Sequence, residues 1–192
     1  MGAVEETSLS EVRRIFEINF IGSQQVTQAV LPFMRAQKSG RIAFVSAIGG
    51  FTGYPGLGIY GAAKGALDIM AEALRGEVAE FGIQVSVVTL GVFRTDFVGR
   101  SLQYTDTKTE AYQETAAGKF RGFIGTIDGK QPGDPKRAAA LFQELLETEA
   151  PPIHLPVGSD ALEVMEAKIA RLQQEIAQWR ERAAETGFNS DA

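Results

Sequence analysis

The chain has no cysteine and a single histidine, His154, in 192 residues. Without thiols there is no disulfide and no thiolate-bound metal, and one imidazole is too few for a histidine cluster, so we expect no metal centre. The lack of cysteine also suits a cytoplasmic chain. Positive charge is in deficit: 19 Lys and Arg stand against 24 Asp and Glu, a net charge of −5. With no basic stripe to offset that balance, a nucleic-acid partner is not expected. Nor does any apolar run approach the roughly 20 residues of a membrane span, and the first residues lack a signal-peptide core. We therefore expect no membrane partner. What is present, 44% hydrophobic and 22% charged residues, is enough to bury one globular core.

Tyrosine is also scarce, with four residues, but one has a telling setting. Residues 41–46 (Arg-Ile-Ala-Phe-Val-Ser) read as a short apolar strand ending on Ser46. A glycine-rich loop follows, Gly49-Gly50-Phe51-Thr52-Gly53-Tyr54-Pro55-Gly56, and then a helix that carries Tyr60-Gly-Ala-Ala-Lys64. Side chains four apart share one helix face. An ammonium beside a phenol stabilises the phenolate and lowers a pKa that is ordinarily about 10, as proton transfer near neutral pH requires. With Ser46 to hold a carbonyl oxygen, the arrangement outlines a carbonyl-reducing site. The spacing is not specific by itself, since roughly 0.15 such pairs arise by chance in this composition. A second pair, Tyr104 and Lys108, does occur. It lies in a polar stretch with no preceding strand, and we read it as coincidence.

The remaining pattern alternates helix and strand. Ser8 and Glu11 form a capping-box signature for a helix running to about Gln37, which Pro32 should kink or shorten. The Tyr60 helix carries Leu67, Met70, Leu74 and Val78 on its apolar side and stops at Phe81-Gly82. Ile83–Leu90 is then a buried parallel strand. A helix is expected over 106–118, another from Asp134-Pro135 through Leu146, and a short strand over 153–157. A last helix, capped by Ser159 or Asp160, has apolar positions Leu162, Met165, Ile169, Leu172, Ile176 and Trp179. Fewer than three heptads favours packing on its own domain over a coiled coil. Residues 187–192 read as a loose tail.

Together these residues resemble the short-chain dehydrogenase/reductase family, and the resemblance extends over nearly the whole chain up to the last helix. Ile18-Asn19-Phe20-Ile21-Gly22 resembles the helix that bears the family's catalytic asparagine, and Ser46, Tyr60 and Lys64 match its serine, tyrosine and lysine. Leu90-Gly91-Val92-Phe93-Arg94-Thr95 resembles the segment that holds the nicotinamide, with Leu90 where the family usually has proline. The resemblance implies an α/β fold, a partial Rossmann-like doubly wound parallel sheet over residues 1–158, with 159–192 as an added C-terminal amphipathic helix and tail. It implies NAD or NADP as cofactor and a small-molecule carbonyl or alcohol as substrate. Tyr60 would be the general acid. Lys64 would tune it and bind the ribose, and Asn19 would hold a relay water. Gly91, Val92 and Thr95 would hold the nicotinamide, and Ser46, Ile48, Phe51, Tyr54 and Phe97 would face the substrate. It also implies a homo-oligomer built on the Tyr60 helix and its predecessor. His154 is expected to be a strand residue without chemistry.

One departure is large. The family's Gly-x-x-x-Gly-x-Gly turn after a first strand is not in the sequence, and Gly49-Gly50 follows the serine strand instead. We therefore expect a chain that starts inside the fold and leaves an unpaired edge on the 41–46 strand. Three readings fit: a gene fragment, one half of a split enzyme with a complementing N-terminal fragment, or a chain whose first part is missing from this sequence. A non-enzymatic remnant or interaction subunit is the rival functional class.

Overall fold

The structure is a computed structural model that describes residues 1–188; of the expected tail, residues 189–192 lie outside the described residues. Three parallel strands, β1 (Gly40–Ala47), β2 (Ile83–Leu90) and β3 (His154–Val157), pair in the order β1-β2-β3. The first helix segment, α1 (Leu9–Phe16), starts on the Ser8/Glu11 capping box and continues through a π-helical turn at Glu17–Ile21 into α2 (Gly22–Gln37). The brief α3 (Ile48–Phe51) follows β1, and α4 (Gly58–Val78) carries Tyr60. Between β2 and β3 come α5 (Ala116–Ile124) and α6 (Pro135–Glu147), and α7 (Ser159–Ala184) closes the chain.

Strand alternation divides the core into two layers. Phe44, Val85 and Val87 face one way and pack with Leu67, Ala71, Leu74 and Val78 of α4, with Leu31 and Met34 of α2 behind them. Ala43 and Val88 face the other way, onto Ala138 and Leu145 of α6. Helices on both faces of a parallel sheet are the reason β2 reads as a nearly continuous apolar run. Val85, Val87 and Val88 are wholly enclosed. β1 pairs with β2 alone, so its other edge meets no strand among the described residues.

Several expectations need correction. Pro32 does not end its helix, which runs on to Gln37 because Leu31 and Met34 anchor it to the core. The irregular turn lies instead at Asn19. The helix expected over 106–118 forms at 116–124, because residues 105–109 are tied to the N-terminal turn and Ala117, Phe120 and Ile124 supply the helical apolar face further on. Neither Ser159 nor Asp160 caps α7: Gly158 occupies that position, and the Asp160 carboxylate accepts from the Val92 N–H instead. Packing of α7 on its own domain holds only for its first turns. Beyond Lys168 every residue of the helix is exposed, including Ile169, Leu172, Ile176 and Trp179.

The N-terminal turn is held by one buried carboxylate. Glu6 accepts from the Ala3 and Thr109 N–H groups, each at 2.8 Å, and pairs with Arg121 of α5. Burial by itself would raise its pKa; the two N–H groups and the guanidinium outweigh that and hold it below 4.5. Its stabilisation is present above the carboxylate's ordinary value and is lost as pH falls through the folded one. Glu6→Gln should therefore lower stability by about 3 kcal/mol at neutral pH. In denaturant unfolding the gap from wild type should close as the buffer is taken below about pH 4.

Candidate active site

α4 places Tyr60, Lys64, Asp68 and Glu72 one turn apart on a single face. What brings that face onto the end of β1 is a contact between glycines. The Gly49 carbonyl oxygen occupies the place a Cβ on Gly61 would take, and the Gly50 carbonyl oxygen lies 3.1 Å from the Cβ position of Gly65. A Cβ on Gly50 would fall 2.8 Å from Lys64 Cβ and 3.0 Å from Ser46 Oγ. The glycine-rich loop thus serves to let α3 lie directly on α4.

Next to Tyr60 opens a cavity of about 540 Å³, bounded by the first helix, the start of α4 and residues 101–106. Its size is that of a small-molecule site. Asn19, Tyr60 and Phe97 line it with Ile15, Leu57 and Leu102. The Phe97 ring lies 5.8 Å from the Tyr60 ring, and the Tyr60 hydroxyl makes no hydrogen bond among the described residues. Asn19 sits in the π-helical turn, a form that recurs at functional sites. Its amide donates to the Ile15 carbonyl at 2.9 Å, which answers how an asparagine is tolerated on an apolar stripe. Tyr104, dismissed with Lys108 as a coincidental pair, does line the cavity, but from a loop rather than a helix.

The other expected site residues lie elsewhere. Ser46 is 2% exposed, off the cavity, with its Oγ unpartnered. Ile48 and Phe51 belong to α3; the Phe51 ring lies under the Lys168 ammonium at 4.9 Å, and Tyr54 stacks on Phe120 at 5.9 Å. Gly91, Val92 and Thr95 sit beyond the carboxyl end of β2. There the Val92 N–H donates to Asp160 at 2.6 Å, and the Thr95 hydroxyl accepts from the Phe97 N–H at 3.3 Å.

Electrostatics reverse one expectation. The Tyr60 phenol is pushed up to about 12, by burial first and then by the Asp68 charge. Lys64 does not lower it, because its ammonium donates to the Val45 carbonyl at 3.0 Å and makes no hydrogen bond to the phenol. Burial pushes Lys64 down, and Asp68 opposes that fall. Asp68, which sequence reading passed over although it follows Lys64 by one turn, is itself buried. Desolvation pushes its carboxyl up, against the Ser46 hydroxyl, His154 and Lys64. Ser46 Oγ and Asp68 Oδ1 are neighbours, yet neither makes a hydrogen bond.

A family profile described as short chain dehydrogenase matches residues 1–105, and the chain belongs to that family. It is similar to oxidoreductase BOA17 of Botryotinia fuckeliana, with 37% identity over 93% of this chain and 65% of that protein. It is also similar to the uncharacterized oxidoreductase YusZ of Bacillus subtilis, with 32% identity over 75% of this chain and 52% of that one. A crystal structure of a short-chain dehydrogenase from Streptomyces avermitilis superposes with a TM-score of 0.87 at 35% identity, over 97% of this chain and 67% of that one. The chain thus spans about half to two thirds of the length of these curated relatives.

The glycine contact is directly testable. Alanine in a helix interior is favoured over glycine by about 1 kcal/mol, whereas forcing atoms into a packed interface costs about 1–3 kcal/mol. Gly61→Ala should be net destabilising in denaturant unfolding because it meets the Gly49 carbonyl. Gly76→Ala, on the same helix with nothing within 4 Å of its Cβ position, should be stabilising.

Proposed function

We propose that this chain forms the catalytic part of an oxidoreductase that interconverts a carbonyl compound and a secondary alcohol, with NAD or NADP as cofactor. The observation that carries this reading is Tyr60, its hydroxyl free of hydrogen-bond partners among the described residues, lining a cavity of about 540 Å³ one turn from Lys64. A nicotinamide dinucleotide, when bound, supplies or accepts the hydride. Tyr60 gives its phenolic proton to the carbonyl oxygen as the C=O bond becomes CH–OH, and takes it back in the reverse direction. Lys64 spends one of its three N–H donors on Val45 and keeps the others for ribose hydroxyls. Asn19, with its amide turned to Ile15, keeps its oxygen for a ligand or a water.

The residues fit the nicotinamide end of the cofactor. Contact through Val92 requires its N–H to leave Asp160, and no glycine-rich turn of this chain would hold the diphosphate. We take the unpaired edge of β1, where Val45 is 45% exposed, as the docking edge for a complementing N-terminal segment. Exposed Ile18, Val26 and Phe33 on α1–α2 and Ile69 on α4 support a homo-oligomer through those helices. The engaged Val92 N–H and the weakly acidic Tyr60 favour a second reading, an interaction subunit that binds no nucleotide alone. Titrating NADPH fluorescence against the purified chain separates the two, and tight binding removes the second.

Nucleotide-dependent turnover, measured with any complementing segment present, tests the first reading. Tyr60→Phe should lower kcat by about 10²–10⁴-fold with KM little changed; undiminished turnover would refute it. A phenol at about 12 is protonated throughout the neutral range. Reduction should therefore be flat in pH until strongly alkaline conditions. Alcohol oxidation, which needs the phenolate, should rise roughly tenfold per pH unit.

A further inference from the structure

Among the described residues, two carboxyl side chains are deeply buried, and they are treated in opposite ways. Glu6 is 2% exposed and saturated by three donors, as a structural carboxylate should be. Asp68 is 7% exposed, and its Oδ1 makes no full hydrogen bond among the described residues although the Ser46 hydroxyl stands within reach of the carboxyl. It shares the helix face of Tyr60 and Lys64, and the reaction above assigns it no part. We propose that Asp68 is a positioning residue for the Tyr60–Lys64 pair: a carboxyl enclosed between α4 and the end of β1, one turn beneath the ammonium, whose charge governs both partners. The proposal rests on the oxidoreductase reading for its purpose, though not for its test.

The groups facing Asp68 come from three elements. β1 contributes Ser46 and β3 contributes His154, while α4 itself supplies Tyr60, Lys64 and Glu72. His154 Nε2 and Glu72 Oε1 are 3.1 Å apart and both side chains reach solvent, at 32% and 47% exposure. The groups that act on Asp68 thus extend from the buried helix face out to this His154–Glu72 contact. The Asp68 charge acts with one sign on both partners. It raises Tyr60 and it opposes the fall of Lys64, so each keeps its proton more firmly while the carboxylate is there. Neutralising the carboxylate should loosen both. Stability predicts the same division: an ionised, under-bonded Asp68 works against folding, whereas Glu6 works for it.

The test follows Tyr60 by NMR of the chain labelled with ¹³Cζ-tyrosine. Tyr60→Phe assigns the signal, and Tyr54, Tyr104 and Tyr112 serve as internal references. Titration runs upward from about pH 8 for as long as far-UV circular dichroism stays native. In Asp68→Asn the Tyr60 signal should begin to move about one pH unit earlier, which is roughly tenfold more phenolate at a given pH. Asp68→Ser should do the same, and Asp68→Glu should restore the wild-type onset. A folded Asp68→Asn or Asp68→Ser chain with Tyr60 unmoved overturns the proposal, even if its melting temperature changes, because that is the result for a merely structural carboxyl. Turnover of the same variants keeps the two readings apart. A shifted Tyr60 without any nucleotide-dependent turnover sinks the oxidoreductase reading and leaves Asp68 as proposed. Turnover with an unshifted Tyr60 does the reverse.

Discussion

The site depends on how closely the loop after β1 can approach α4. Backbone lies on backbone where Gly49 and Gly50 meet Gly61 and Gly65; a Cβ at Gly61 or Gly50 would clash, and one at Gly65 would be tight. That approach sets the depth at which the Tyr60–Lys64–Asp68 face meets the strand end. A methyl group at Gly61 would push α3 outward and carry Ser46 and the Val45 carbonyl away from the helix. Glycines that read in sequence only as a glycine-rich loop after the serine strand act in the fold as a spacer of minimal thickness.

Around that contact the chain arranges two kinds of polarity. On the outside of the cavity, Glu6 binds the N-terminal turn to residues 105–109 and to α5, so one wall is held by a fully bonded carboxylate. On the inside, burial dominates: it makes the phenol a weaker acid and the ammonium a stronger one. The i, i+4 rule correctly places Tyr60 and Lys64 on one face. It says nothing about where a long, flexible ammonium points, and here the Val45 carbonyl offers it a hydrogen bond. A shared face is therefore not the same as a shared proton.

Much of the architecture was legible in the letters. The capping box at Ser8 and Glu11, the αL glycine at Gly82, the Asp134-Pro135 helix start and the three strands all follow from local chemistry, and each formed where it was expected. The failures share a cause. Pro32 was overruled by the burial of its neighbours Leu31 and Met34, and the helix expected at 106–118 was displaced by carboxylates from residues 6 and 11. α7 kept its apolar stepping yet found no surface to cover along most of its length among the described residues. In each case a contact distant in sequence outweighed a local preference or failed to reward it.

The sequence by itself determined the periodicities, and with them the alternating α/β order, the two-sided core of the sheet and the alignment of Tyr60 with Lys64. Those features depend on residues within a turn or two of each other, so the order of side chains suffices. Only the tertiary structure decided which oxygens and nitrogens meet: Ser46 turned inward to Asp68, Val92 bonded to Asp160, and His154 paired with Glu72. The partners in these encounters lie up to 82 residues apart (His154 and Glu72) in the chain. Their encounter is settled by the packing of whole elements, because a hydrogen bond tolerates only a few tenths of an ångström and no local pattern specifies position that finely.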